Sequence, residues 1–194
     1  MRLNEDLANA VAEAIRLLYS RGLVQVKGGN VSAFDRQAGL VYITPTGVPR
    51  HLVKPDDIAV VSLDGKVVVG NPSSELMMHL EIYKGVSDAV AVVHAHPVSV
   101  LALYESGGRL DLSLTTEARI RTNCVEEVPP LQPGSEELAR ATAAALSRCR
   151  AAVLRGHGIT AYSSKDVFEA LDAVEALSDL AMVQLYSAAG KRAT

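Results

Sequence analysis

A chain of 194 residues, 48% hydrophobic and 21% charged, carries enough apolar side chains to bury a core of its own as a single domain. Its net charge of −3 offers no general attraction for nucleic acid or an anionic membrane, so any phosphate it binds must meet a local site. The apolar runs fall short of the ~20 residues a spanning helix needs, and Met1 to Asp6 lacks a signal peptide's apolar core, so a cytoplasmic protein is expected.

Leu3, Leu7, Val11, Ile15 and Leu18 recur at helical spacing, with Asn4 able to cap and Gly22 just past the end. This predicts an amphipathic opening helix. Gly28-Gly29-Asn30 follows, where glycines let the backbone approach a ligand and the Asn30 amide can donate to an oxyanion; Lys27 adds a positive charge beside it. The competing reading is a plain connector into a strand. Val31 to Phe34 and Leu40 to Thr44 flank a polar turn and predict a hairpin. Thr44-Pro45-Thr46-Gly47 then has tight-turn chemistry that can leave a hydroxyl and amide N–H groups facing an anion. Ile58 to Leu63 and Lys66 to Val69, joined by Asp64-Gly65, predict a second hairpin.

Asn71-Pro72-Ser73-Ser74-Glu75 precedes a helical segment that runs through Tyr83 and that Gly85 can end. The serines read either as caps or as hydroxyls of a phosphate site at the helix start, with Glu75 in the first turn as a candidate base. His79 lies one turn further along the same face. It could complete a Glu/His pair, but ranks below His157 and reads as packing or support.

The apolar run Ala89 to Val93 ends in His94-Ala95-His96, followed by Pro97. In a strand the two histidines share a face with α-carbons about 6.7 Å apart, so their imidazoles can converge on one ion. Half-buried, hydrogen-bonded strand histidines are the competing reading, and a zinc site needs a third ligand in any case. The remaining histidines are His51, His79 and His157, the last between glycines.

Pro97 suits the start of a helix running to Gly107-Gly108, and Leu110 to Leu114 is read as a further strand. Arg121 to Gly134 reads as irregular. Ser135-Glu136-Glu137 caps an alanine-rich helix to about Arg148, and Ala151 to Leu154 reads as a buried strand leading into Gly156-His157-Gly158. Ile159 to Tyr162 re-enters the sheet before a long helix opened by Ser163 to Asp166. Cys124 and Cys149 have neither zinc-ribbon spacing nor the density of a secreted framework, and read as reduced thiols.

Gly29-Asn30-Val31-Ser32, Thr44-Pro45-Thr46-Gly47, Pro72-Ser73-Ser74-Glu75, His94-Ala95-His96 and Gly156-His157-Gly158 stand in an order that resembles the class II aldolase and adducin family, especially its zinc-dependent L-fuculose-1-phosphate aldolase branch. The resemblance implies an α/β fold, a three-layer αβα sandwich around a largely antiparallel sheet, assembled as a homotetramer. It implies one zinc ion per chain on His94, His96 and His157, with Glu75 alternating between fourth ligand and base. It places a phosphorylated sugar substrate's phosphate against Gly29, Asn30, Thr46, Gly47, Ser73 and Ser74, beside Lys27, where relatives commonly carry a small hydroxyl residue. The implied reaction is reversible cleavage of a ketose 1-phosphate into dihydroxyacetone phosphate and a short aldehyde. Alternatives within the family are a pentulose-phosphate 4-epimerase, a methylthioribulose-phosphate dehydratase, or a non-catalytic module like the adducin head. In the aldolases a neighbouring subunit supplies a tyrosine, absent here from Leu112 to Thr116. A further C-terminal tail with a second tyrosine has no counterpart before Thr194.

Overall fold

The computed structural model describes residues 3–192. Met1, Arg2 and residues 193–194 lie outside it, so the statements above that rest on the extreme termini fall outside the described residues.

The opening helix α1 (Glu5–Ser20) forms where its apolar stripe predicts it. The Asn4 side chain accepts from the Leu7 N–H at 3.3 Å, and Val11, Ile15 and Leu18 are fully buried. The chain then lays down β1 (Asn30–Asp35), β2 (Leu40–Ile43), β3 (Ala59–Ser62) and β4 (Val67–Val69) as an antiparallel meander. Helix α2 (Leu76–Gly85) leads to β5 (Ala91–Ala95), and α3 (Val98–Glu105) and α4 (Thr116–Arg121) lead to β6 (Val125–Val128). Helix α5 (Glu136–Leu146), the hairpin β7 (Ala151–Leu154) and β8 (Gly158–Ser163), and the long α6 (Val167–Arg192) complete the chain. The eight strands form one sheet in the order β4-β3-β2-β1-β5-β8-β7-β6, antiparallel except for β6 on β7.

Alternation along β5 divides the core. Ala91, Val93 and Ala95 face a layer built from α1, α3, α4 and α6, whereas Val92 faces α2 and α5. The expected α/β architecture, with helices on both faces of a mostly antiparallel sheet, is therefore observed. The same alternation sends His94 toward the α2 side, at the centre of the sheet.

Four local expectations are corrected. Leu112–Leu114 is a 3-10 turn, capped by the Asp111 side chain accepting from the Ser113 N–H, rather than a strand. The segment after Arg121 contains β6, which periodicity misses because Val125-Glu126-Glu127-Val128 is an edge strand, paired only with β7, whose two glutamates break the apolar pattern. Helix α2 starts at Leu76, so Glu75 is its N-cap residue and not part of its first turn. Neither serine caps it; Ser73 Oγ instead accepts from the Glu75 N–H at 3.3 Å.

The fourth correction concerns the cysteines, which form a disulfide with α-carbons 5.1 Å apart. Each precedes one member of the parallel pair, and the register Val125↔Ala151 brings the residues before them together. Sequence spacing carries no trace of that neighbourhood. Closing a 25-residue separation constrains the unfolded chain; for loops of this size the chain-entropy model assigns about 3 kcal/mol. Reduction under native conditions should therefore lower the unfolding free energy in urea by a corresponding amount, with a slope that is equal or steeper because the unfolded chain is no longer tethered. An unaltered unfolding free energy in protein whose mass confirms two free thiols would show that the bridge contributes no stability.

Candidate metal and phosphate site

The strand register assembles the site. β1 runs antiparallel to β5 with Asn30 opposite His94, and β8 flanks β5 on its other side with Thr160 opposite His94. The β7–β8 turn, closed by His157 N–H donating to the Leu154 carbonyl at 2.9 Å, carries His157 beside His96. Glycine is required here. A Cβ on Gly158 would lie 2.2 Å from the Ala95 carbonyl oxygen and 2.9 Å from the His96 ring, and one on Gly28 would lie 2.9 Å from His96 Nδ1.

His94, His96 and His157 each offer a ring nitrogen, all three within 4.8 Å of one another, with ring centroids 4.7 to 5.1 Å apart. Their tautomers follow from their partners. His94 Nδ1 lies 3.1 Å from the Ile159 carbonyl oxygen, which can only accept, so Nδ1 carries the proton. His96 Nδ1 likewise donates to Gln25 Oε1 at 3.1 Å. The two Nε2 atoms then point lone pairs at each other across 2.9 Å. Protonating either ring would relieve this, but burial opposes it. His94 is held well below its ordinary pKa by burial and then by the neighbouring histidines, and His96 is lowered to about 4 by burial, then by His157 and Arg50. His157 is also lowered by burial, and its Nδ1 is buried with no hydrogen-bond partner. Converging lone pairs kept neutral by their surroundings fit a cation with nitrogen preference, which is the donor set of a catalytic zinc centre with three protein ligands.

Glu75 is buried, and its Oε2 has no partner. Burial raises its pKa, with the Gly134 N–H pulling the other way. Its carboxylate stands outside the three-imidazole cluster. His79 also stands outside it, fully buried. Its Nε2–H donates to Asn30 Oδ1 at 2.5 Å, since that oxygen can only accept. Its Nδ1 therefore accepts from the Ser32 hydroxyl at 2.6 Å, and Ser32 in turn lies 2.7 Å from the Tyr83 hydroxyl. This network holds the Asn30 oxygen and leaves its amide N–H groups as the free end.

The remaining candidates lie on two knitted loops. Thr46 N–H donates to the Asn71 carbonyl at 3.1 Å, Ser73 N–H donates to the Thr44 carbonyl at 3.0 Å, and Pro45 bridges Pro72. Ser73 is buried between these loops, while Thr46 and Gly47 are exposed, Gly47 with φ +77°. Ser74 is exposed on a different wall, lining a cleft with Asp64, Gly65, Met77 and Gly134. Lys27 is exposed. Sequence reasoning missed Arg50, whose guanidinium is buried and donates to the carbonyls of Gly28 at 3.0 Å, Lys27 at 2.9 Å and Pro45 at 2.8 Å. No motif contains it.

A mostly antiparallel sheet with helices on both faces and a three-histidine cluster able to hold an ion point to a metal-dependent enzyme, and known proteins give its family. The family model "Class II Aldolase and Adducin N-terminal domain" matches residues 9–185, and the chain belongs to that family. It is 36% identical to an L-fuculose phosphate aldolase of Methanococcus maripaludis over 87% of this chain and 90% of the relative. It is 35% identical to a 5-deoxy-D-ribulose 1-phosphate aldolase of Bacillus thuringiensis over 83% and 76%. The crystal structure of the L-fuculose-1-phosphate aldolase from Thermus thermophilus superposes with a TM-score of 0.86 at 29% identity, covering 98% of both chains. The protein is therefore an enzyme of the aldolase type.

His79 gives the site a pH signature. Burial depresses its pKa from 6.5 to about 3, so the unfolded state binds the extra proton between those values. Its contribution to stability is complete above about pH 6.5 and is lost as pH falls toward 3, by about 1.4 kcal/mol per pH unit for one proton. The three site histidines act in the same direction. In metal-free protein, urea stability should drop between pH 7 and 5, and His79→Gln should drop less steeply by one proton's share. Parallel pH profiles would show that His79 is not held neutral.

Proposed function

We propose that this protein is a zinc-dependent aldolase that reversibly cleaves a ketose 1-phosphate into dihydroxyacetone phosphate and a short aldehyde, working in the cytoplasm as a homotetramer. The observation that carries this reading is the pair of facing imidazole lone pairs at His94 and His96, with His157 beside them. Those three residues would hold the ion, which would supply Lewis-acid polarisation of the substrate's carbonyl. The Methanococcus relative is named for a fuculose phosphate, and the Bacillus relative and the Thermus structure are named for 1-phosphates, which supports the substrate class.

The chain's own residues divide the remaining work. Asn30, Thr46, Gly47 and Ser73 hold the phosphate, with Gly29 allowing close backbone approach, Ser74 on the neighbouring wall and Lys27 at the rim. Holding that end fixes the reacting carbons relative to Glu75. In cleavage, Glu75 takes the proton of the hydroxyl on C4. The C3–C4 bond breaks, the aldehyde leaves with the new C=O, and the electron pair stays on C3, stabilised by conjugation with the C2 carbonyl. Protonation of C3 by the same carboxyl releases dihydroxyacetone phosphate. A carboxylate with a raised pKa and an unpartnered oxygen suits both directions of that transfer.

Purified protein should hold about one zinc per chain, and His94→Ala or His157→Ala should lose most of it. Full occupancy in both variants would remove the triad. Glu75→Gln should keep its metal and fold but slow turnover by about 10²–10⁴-fold. Exchange of the hydroxymethyl-carbon protons of dihydroxyacetone phosphate with deuterated water, followed by NMR, reads this step without knowledge of the aldehyde. Equal exchange by zinc-loaded wild type and Glu75→Gln would exclude Glu75 as the base, and no exchange by zinc-loaded wild type would refute the reaction.

A further inference from the structure

Arg50 is a buried cation without a counter-ion. Its residue is 4% exposed, and its guanidinium bonds only to the carbonyls of Lys27, Gly28 and Pro45. Carbonyl dipoles satisfy three of its five N–H groups but leave the unit charge uncancelled, and a buried charge is costly unless an opposite one faces it. Among the described residues no carboxylate pairs with it: its guanidinium hydrogen bonds go to those three carbonyls, and its own N–H donates to the Val26 carbonyl at 2.7 Å. Burial alone accounts for the lowering of its pKa, with no acidic group contributing.

The position of this charge is informative. The three carbonyls belong to the two loops that end in Asn30 and in Thr46-Gly47, so the guanidinium ties together the two loops that carry the proposed phosphate cradle. It also reaches the metal cluster electrostatically, lowering His96. On the chain's described residues the countercharge is missing, and the bound substrate brings one.

We propose that Arg50 is the positioning residue that makes the cradle select a phosphate dianion, pinning the two loops through their carbonyls while its uncancelled charge faces the bound phosphate. This inference rests on the ketose-phosphate reading above. A purely mechanical clamp would hold the loops equally well for any ligand, whereas an uncancelled charge discriminates by ligand charge. Lysine keeps the charge without the fork, and glutamine keeps a donor without the charge.

The test measures calorimetric affinity of zinc-loaded wild type, Arg50→Gln and Arg50→Lys at pH 8 for dihydroxyacetone phosphate and for its phosphate monomethyl ester, which carries one negative charge less. Wild type should prefer the dianion by roughly tenfold or more, the scale of a unit charge nearby at intermediate dielectric. Arg50→Gln should lose that preference, mainly through weaker dianion binding. Arg50→Lys should bind both ligands more weakly and keep the preference. Equal weakening of both ligands in Arg50→Gln, or none, would reduce Arg50 to a loop clamp and overturn the inference. If Arg50→Gln does not fold, a folded Arg50→Lys that has lost the preference overturns it equally. Wild type that binds neither ligand would instead remove the ketose-phosphate reading itself.

Discussion

Everything in the site depends on the direction in which two imidazoles carry their protons. His94 gives its Nδ1 proton to the Ile159 carbonyl and His96 gives its own to Gln25, so both Nε2 lone pairs are aimed at one point. A backbone carbonyl in a strand cannot reorient, so the His94 tautomer is as rigid as the sheet. The flanking strands are there for this purpose as much as for the core. β8 supplies the carbonyl and Thr160, and the turn before it supplies His157.

The same sheet sets the distance between the three-histidine cluster and Asn30 of the proposed anion cradle. Asn30 stands opposite His94 across the β1–β5 ladder, and both side chains are buried among polar partners. Asn30 is then oriented from behind by His79 on α2, with Ser32 and Tyr83 completing a directed chain of donors. A neutral, buried histidine is well suited to this task because it is at once donor and acceptor, and burial keeps it from charging. Helix α2 thereby serves the site at two levels, with Glu75 at its start and His79 one turn in.

Burial recurs as the means by which the site is tuned. It holds His94, His96, His157 and His79 neutral and raises Glu75, so five titratable groups are shifted toward their uncharged forms. Burial lowers Arg50 as well, but a guanidinium keeps its charge at any accessible pH. An environment that suppresses other charges around one retained cation is well matched to an anionic substrate.

Much of this was legible in the chain itself. Apolar periodicity located α1, α5, α6 and the central strands, because burial of one face repeats with the geometry of the element. The His-x-His at a strand end and the histidine between glycines offered ring nitrogens that the fold brings within 4.8 Å of one another, while the Pro-Ser-Ser-Glu before a helix left capping and phosphate-binding readings both open. The tertiary structure alone decided what depends on contacts between distant segments. Register chose among five histidines, separating His157 from His79 and giving the latter to Asn30. Parallel pairing of β6 and β7 joined Cys124 to Cys149. Arg50 had no signal at all, since its three partners are backbone carbonyls, and every residue has one. Side-chain chemistry is written in the sequence, but proton direction, charge compensation and the identity of a carbonyl's partner exist only once the strands lie side by side.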